Sequence, residues 1–541
     1  MKRDPAERHD SENRRDPDNT HDPATIDRIV ILDFGSQTSH LIGRRIRERG
    51  VYADIVSGEI PPAEWFGPTV RGIILSGSPA SVHDADAPQP DAAVFDLGVP
   101  ILGICYGLQY TTHTRGGRVG RSDRREYGPA AVTVYTHHPI LKGISSRFLS
   151  WMSHGDAIER LPEKGVEIAG TTSGVPAVVA LDHISFVGLQ FHPEVTHTQH
   201  GALILDNFAT GICGARREWS VEDYRIQLEE ELRRRVGTNP VLLLISGGVD
   251  SSVVAALLLN ALPADQVHLM YIDTGLMRKG ETDEIGKALA SLGAKNLYLI
   301  DAADEFLARL AGISEPEEKR RIIGDLFVTV QEREVKNRLE GPYLLAQGTL
   351  YTDLIESGHG VGRHGASIKS HHNVASPLVK EKRDAGMVVE PLAALYKDEV
   401  RRLGSLLGLP DTVVHRHPFP GPGLAVRILG EVTRERCDLL READAIYIQA
   451  LRDAGLYDEI WQAFAVLLPI KSVGVTGDSR SYGDVIALRA VVSRDGMTAD
   501  IYDFQPDVLR GIAAAITNRV PQIGRVVYDV SGKPPATIEW E

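Results

Sequence analysis

Cysteine is scarce in this chain: Cys105, Cys213 and Cys437 are the only three among 541 residues, far apart and without CxxC spacing. That excludes a disulfide framework and a paired-cysteine zinc site. Long apolar runs are missing too, and the N-terminus is charged where a signal peptide would be apolar. A cytoplasmic protein with no membrane partner is expected. Positive charge is short, with 59 Lys and Arg against 73 Asp and Glu and a net charge of −14. Broad, charge-driven nucleic-acid binding is therefore excluded, although a local basic pocket is not. What is present is length: the chain exceeds one hydrophobic core, so several domains are expected.

The chain is organised around residues 242–252, LLLISGGVDSS. The apolar run predicts a strand buried on both faces; Ser246, Gly247 and Gly248 turn the chain, and Val249, Asp250, Ser251 and Ser252 open a helix. Exposed N–H groups at a helix start, with glycines that let backbone approach, suit a phosphate. The lysine of a GxxxxGK[ST] loop is missing, which argues against γ-phosphoryl transfer. The stretch resembles the pyrophosphate loop of the N-type ATP pyrophosphatases. That resemblance implies ATP cleaved between its α and β phosphorus atoms, with Mg²⁺ held by Asp250.

Upstream, residues 1–26 are charged and polar with little to bury, and read as a disordered tail. Strands are predicted at 29–34, 51–56, 72–76 and 100–104 in a β-α-β rhythm that implies a parallel sheet covered by helices. The fourth delivers Gly103-Ile104-Cys105-Tyr106-Gly107-Leu108-Gln109. A cysteine with a glycine two residues to either side at a strand-to-helix turn is the thiol form of a nucleophile elbow. The Tyr106 N–H is placed to help bind an oxyanion. A strand at 186–191 leads into His192-Pro193-Glu194, which Pro193 keeps extended, so His192 can serve as base while Glu194 orients it.

Together with Asp33-Phe34-Gly35-Ser36-Gln37 and Met152-Ser153-His154-Gly155-Asp156, these residues resemble a class I glutamine amidotransferase domain. The resemblance implies a Cys105, His192, Glu194 triad, Gln109 near the glutamine pocket, and an oxyanion turn at Leu75-Ser76-Gly77-Ser78. The family's turn carries two glycines; if Ser78 takes a positive φ here, modest strain is expected.

Beyond a charged connecting helix at 221–235, strands at 267–272 and 296–300 complete a nucleotide-binding half. Asp273 ends the first of these, where it meets a ribose or base, or caps a helix. The glycine-dense 358–362 segment reads as a mobile loop. A stiff proline segment, RHPFPGPGL, precedes a third unit that ends in SGKPPATIEWE, a terminus with too much apolar and proline content to be frayed.

In this order SGGVDSS, GTLYTDLIESG, IKSHHNV, RHPFPGPGL and SGKPPATIEWE resemble the glutamine-hydrolysing GMP synthase family over nearly everything from Ile29 to Glu541. The implied fold is α/β: two doubly wound parallel-sheet domains, amidotransferase at 27–213 and ATP pyrophosphatase at 237–417, joined by a helix at 214–236. A small α+β domain at 418–541 would follow, dimerising and binding xanthosine monophosphate (XMP). The resemblance implies a homodimer that takes XMP, ATP and glutamine. It also implies a lid over 341–373 and a synthetase site of Asp353, Glu356, Lys369, His371, His372, Lys397 and Asp398. For XMP it implies Arg320, Arg525, Lys533, Ile538 and Glu539. The alternative is another glutamine-dependent amide ligase of the ATP pyrophosphatase type.

Overall fold

The computed structural model describes residues 26–541 except 37, 340, 351–352, 354–376, 477–478 and 494–497, without side chains at 121–125, 377–380, 476 and 479. The chain forms two compact units, one through Gln227 and one from Leu228; the divide falls within the helix Val221–Val236.

The first unit is built on one nine-stranded sheet: β1 (Arg28–Asp33), β2 (Tyr52–Ser57), β3 (Val70–Leu75), β4 (Ile101–Ile104), β5 (Arg118–Val134), β6 (Arg147–Arg160), β7 (Val166–Thr171), β8 (Pro176–Leu181) and β9 (Phe186–Leu189), in the order 2-1-3-4-9-8-7-5-6. The first five strands of that order are parallel, as their aliphatic runs imply: Ile29, Val30, Ile31 and Leu32 have no exposed surface. The remaining strands extend the sheet antiparallel, a part that apolar periodicity did not reveal. Strand β5 carries the charged run RSDRRE, and β6 buries the polar Ser150, His154 and Asp156 on the same face as Phe148 and Met152, so neither shows a clean apolar alternation in its sequence.

The second unit holds two sheets. Five parallel strands, β10 (Val241–Ile245), β11 (Val267–Asp273), β12 (Asn296–Asp301), β13 (Leu344–Ala346) and β14 (Val388–Val389), run in the order 12-11-10-13-14. The order reverses at β10, so the crevice for a ligand lies at its carboxyl end, where SGGVDSS begins. The stretch expected to close as a lid from 341 onward starts differently: Leu345 and Ala346 are a buried strand beside β10, not a mobile flap. The 358–362 loop of that expectation lies outside the described residues.

The other sheet pairs β15 (Gln462–Thr476) with β16 (Ser479–Val492) in a long antiparallel hairpin, with β17 (Asp500–Ile501) and β18 (Ile523–Tyr528) beside β16. The two sheets share one core, which runs from Leu242 and Met270 through Leu440 and Tyr447 to Leu488 and Ile516. No helix among the described residues is long and apolar enough to cross a membrane.

The expected docking of the terminus is observed, and buried cations accomplish it. The Arg427 guanidinium, with no exposed surface, holds the Glu539 carboxylate through two bonds of 2.8 and 3.1 Å. Arg489, equally buried, donates to the carbonyls of Ser531, Thr537 and Ile538. Lys319 points its ammonium at Ile428 O (2.8 Å), Ala425 O (3.2 Å) and the Glu541 carboxylate (2.5 Å). Each desolvated charge is thus paired or saturated with acceptors, the condition for burying it.

The proline segment is anchored by His417. Its ring stacks on Tyr457 at 3.9 Å between centroids, donates from Nε2 to Tyr457 O and accepts at Nδ1 from Ala463 N. Burial pulls its pKa from 6.5 down to about 4, so the folded protein keeps it neutral. Between these values the unfolded chain binds more protons, and stability falls as pH drops through that window. This one group is expected to remove about 3 kcal/mol between pH 6.5 and 4. Urea unfolding at several pH values checks it: His417→Gln should flatten the acid slope whatever it does to stability at pH 7.

Candidate active sites

Cys105 sits between β4 and the helix Tyr106–Thr114 with φ +48° and 5% exposure. The turn is tight because backbones cross it: a Cβ on Gly107 would lie 2.5 Å from Leu75 O, and one on Gly103 2.7 Å from the Gly107 carbonyl carbon. That is why glycines flank the cysteine. The Cys105 N–H is tied to Leu189 O at 2.7 Å and the Gly107 N–H to Ser76 O at 3.2 Å. Strain expected at Ser78 is not there. Among the described residues the non-glycine positive φ values are at Cys105, Lys164, Ser185 and His200, so the strained residue is the thiol itself.

His192 and Glu194 converge as the extended His-Pro-Glu predicts, with Nδ1 to Oε1 at 2.7 Å. Burial disfavours the imidazolium, but the Glu194 carboxylate and the Cys105 sulfur, to which the ring N–H donates, hold its pKa well above the ordinary range. Glu194 is 1% exposed and accepts a second bond from Thr38 Oγ1 at 2.6 Å. Thr38 gave no sequence signal for this role.

Gly77 lies against the base, since a Cβ there would be 3.2 Å from His192 Cε1. Gln109 is buried, and its amide donates to Asp156 O at 2.9 Å and to Gln190 Oε1 at 3.4 Å. Gln190 in turn points its amide at Cys105 Sγ at 3.6 Å. The Asp33 carboxylate braces its own loop through Gly35 N, Ser36 N and Ser39 Oγ.

In the second unit, Gly247 has φ +79° and Gly248 precedes the helix Val249–Ala261. The serines are spent on the turn: Ser246 Oγ meets Ser251 Oγ at 3.1 Å, and Ser251 and Ser252 donate to Gly248 O at 3.1 and 3.0 Å. Asp250 in the first helical turn is met by Lys397 Nζ at 2.6 Å from each carboxylate oxygen. The loop has no lysine of its own; one arrives from the start of the helix Lys397–Leu406, where Asp398 also lies. The Asp250 carboxylate is the kind of oxygen ligand Mg²⁺ takes, since that ion is commonly held by one or two carboxylates plus substrate phosphates, and the N–H groups at the helix start suit the phosphates.

Asp273 does not cap a helix. Its oxygens hold Gly275 N at 2.8 Å and Thr282 Oγ1 at 2.6 Å, and it lines a cavity of about 460 Å³ at the carboxyl ends of β11 and β12. Asp353 accepts from Leu350 N at 2.8 Å. Glu356, Lys369, His371 and His372 lie outside the described residues.

The five residues expected to meet XMP have different surroundings. Arg320 donates to Glu541 O, Glu539 is bound by Arg427 and by Gln462 at 2.7 Å, and Ile538 is buried. Lys533 pairs its backbone with Ala499, while Arg525 is exposed on β18.

Comparison with known proteins finds three families along the chain: Glutamine amidotransferase class-I at residues 30–212, Asparagine synthase at 223–316 and GMP synthase C terminal domain at 449–540. A GMP synthase [glutamine-hydrolyzing] of Thermomicrobium roseum is 50% identical over 521 residues, 96% of this chain and 97% of its own. Those of Aquifex aeolicus and Symbiobacterium thermophilum are 49% and 48% identical, each over 95% of this chain and 99% of their own. A solved structure of a putative GMP synthase subunit from Thermoplasma acidophilum is 30% identical, covering 35% of this chain and 94% of its own with a TM-score of 0.31.

Proposed function

The chain belongs to the glutamine-hydrolysing GMP synthase family, and from that membership we propose which residues carry each half of its reaction. The protein is a ligase that converts XMP to GMP with ATP and with ammonia taken from glutamine. Cys105 attacks the side-chain carbonyl of glutamine, His192 handles the proton, and Glu194 with Thr38 fixes the ring. The Tyr106 N–H and the Gly77 turn stabilise the oxyanion. The strained elbow and the short His192–Glu194 bond support this assignment.

In the other half, residues 246–252 take the phosphate chain of ATP and Asp273 shapes the edge of that site. The 2-oxygen of XMP attacks the α-phosphorus, pyrophosphate leaves, and ammonia displaces AMP from C2 of the adenylated nucleotide. Mg²⁺, carried by Asp250, would neutralise charge on the departing pyrophosphate. Lys397 holds Asp250 in place, and Asp353, Glu356, Lys369, His371, His372 and Asp398 surround the reacting groups. XMP is held by Arg320, Arg525, Lys533, Ile538 and Glu539, where the cations suit a 5′-phosphate.

Functionally the chain divides at 27–213, 214–236, 237–417 and 418–541 after its tail, and it works in the cytoplasm. The β15–β16 hairpin exposes Ile470, Val473, Val475 and Tyr482, an apolar surface that supports a homodimer. The observation that carries the two-site reading is that one chain holds both the Cys105 elbow with its His192–Glu194 pair and a glycine loop at a helix N-terminus. Supplying XMP, ATP, Mg²⁺ and glutamine tests it: GMP and AMP should form together, and ADP in place of AMP would sink it.

A further inference from the structure

We propose that Arg416 is the positioning residue of the pyrophosphate loop: it pins the Gly247 carbonyl and thereby aims the loop's N–H groups at the phosphate chain. This rests on the assignment of residues 246–252 to ATP.

The Arg416 guanidinium donates to Gly247 O through one amino group and to Glu281 Oε1 at 2.8 Å through the other. Both side chains are nearly enclosed, at 14% and 4% exposure. Glu281 is itself fixed, since its second oxygen accepts from Arg278 N at 3.0 Å. The loop is pressed onto this pair: a Cβ on Gly247 would lie 2.7 Å from Ile285 Cδ1 and 2.8 Å from Glu281 Oε1.

Peptide geometry then sets the direction of the neighbouring donor. Gly247 C=O and Gly248 N–H belong to one trans peptide plane and point in opposite directions. Holding the carbonyl on Arg416 turns the Gly248 N–H to the opposite side, where Ser246 Oγ accepts from it at 3.3 Å, a long bond that a phosphate oxygen would replace. Without that hold the flanking glycines can flip the plane and present a carbonyl to the phosphate, replacing an attraction with a repulsion. Arg416 is also held in register, because the next residue, His417, is bonded to Tyr457 and Ala463 of the third sheet's surroundings. The loop is therefore set by a residue far along the chain from it.

The test is steady-state kinetics with ammonium as nitrogen donor, on the full-length protein and its Arg416→Gln and Arg416→Lys variants. Arg416→Gln should raise the KM for ATP by roughly 10- to 100-fold, the worth of a charge-assisted bond, and weaken inhibition by pyrophosphate by a similar factor. The KM for XMP should move less than about threefold. Arg416→Lys should recover part of the loss, because one ammonium can hold the carbonyl but cannot span to Glu281 as a planar fork does. Should Arg416→Gln fail to fold, Arg416→Lys with the pyrophosphate inhibition carries the test alone. Equal rises in both KM values, or an unchanged KM for ATP in either folded variant, would overturn the proposal. Asp250→Asn separates the two levels: if it also leaves ATP kinetics unchanged, the loop assignment fails, whereas if it alone disturbs them only the role of Arg416 does.

Discussion

Replacing Cys105 with Ala is expected to lower glutamine-dependent GMP formation by about 10⁴-fold or more, while formation from added ammonium stays within about twofold. The size follows from removing the nucleophile of a covalent mechanism, and the selectivity follows from its location. Cys105 lies in the unit that ends at Gln227, and the SGGVDSS loop lies in the unit that begins at Leu228. Burial lowers the pKa of the His192 imidazole, but Glu194 and Cys105 outweigh it and raise that pKa well above the ordinary imidazole range. The basic limb of glutamine hydrolysis should therefore sit above that of an ordinary imidazole. Losing ammonium use along with glutamine use would contradict the two-site division.

Asp250→Asn is expected to give the opposite signature, a fall of roughly 10²- to 10³-fold with glutamine and ammonium alike, measured as GMP released. In the folded protein Asp250 accepts Lys397 Nζ through both oxygens at 2.6 Å. The amide keeps the shape of the side chain but loses the charge that would hold the metal and orient the lysine. Lys397 is then left without its counterion beside the 246–252 loop. A change confined to glutamine would mean that the loop does not serve the synthetase half.

The parts of this protein legible in its sequence are those whose chemistry is local. Gly103, Cys105 and Gly107 lie within one turn, His192 and Glu194 are two residues apart, and the 246–252 turn is contiguous, so composition and spacing carry their arrangement. The buried charges that assemble the second unit are a different matter. Lys319, Arg427 and Arg489 look like surface cations until Glu541, Glu539 and Asp529 are folded onto them from the far end of the chain. Arg416 lies inside a motif that stands out for its prolines, yet its partners are Gly247 and Glu281. The same holds for Lys397, which supplies the lysine the loop lacks from 147 residues downstream.

Two expectations are narrowed by the backbone. Ser78 takes no positive φ, so the strain conditional on one does not arise there, and the positive φ falls on Cys105. The resemblance implies a lid over 341–373, whereas that segment opens with a buried strand, Leu344–Ala346, which at three residues is too short to register as a periodic pattern. The antiparallel extension of the first sheet escaped for a related reason: weak alternation hides a strand whose partner supplies the burial.

The claim joining the two halves is that the oxygen of XMP is activated as an adenylate before ammonia arrives. XMP carrying ¹⁸O at its 2-position tests it most directly. With ATP, Mg²⁺ and glutamine, the label should leave in the phosphate group of AMP as GMP forms. Label recovered in water, pyrophosphate or inorganic phosphate, with none in AMP, would contradict it.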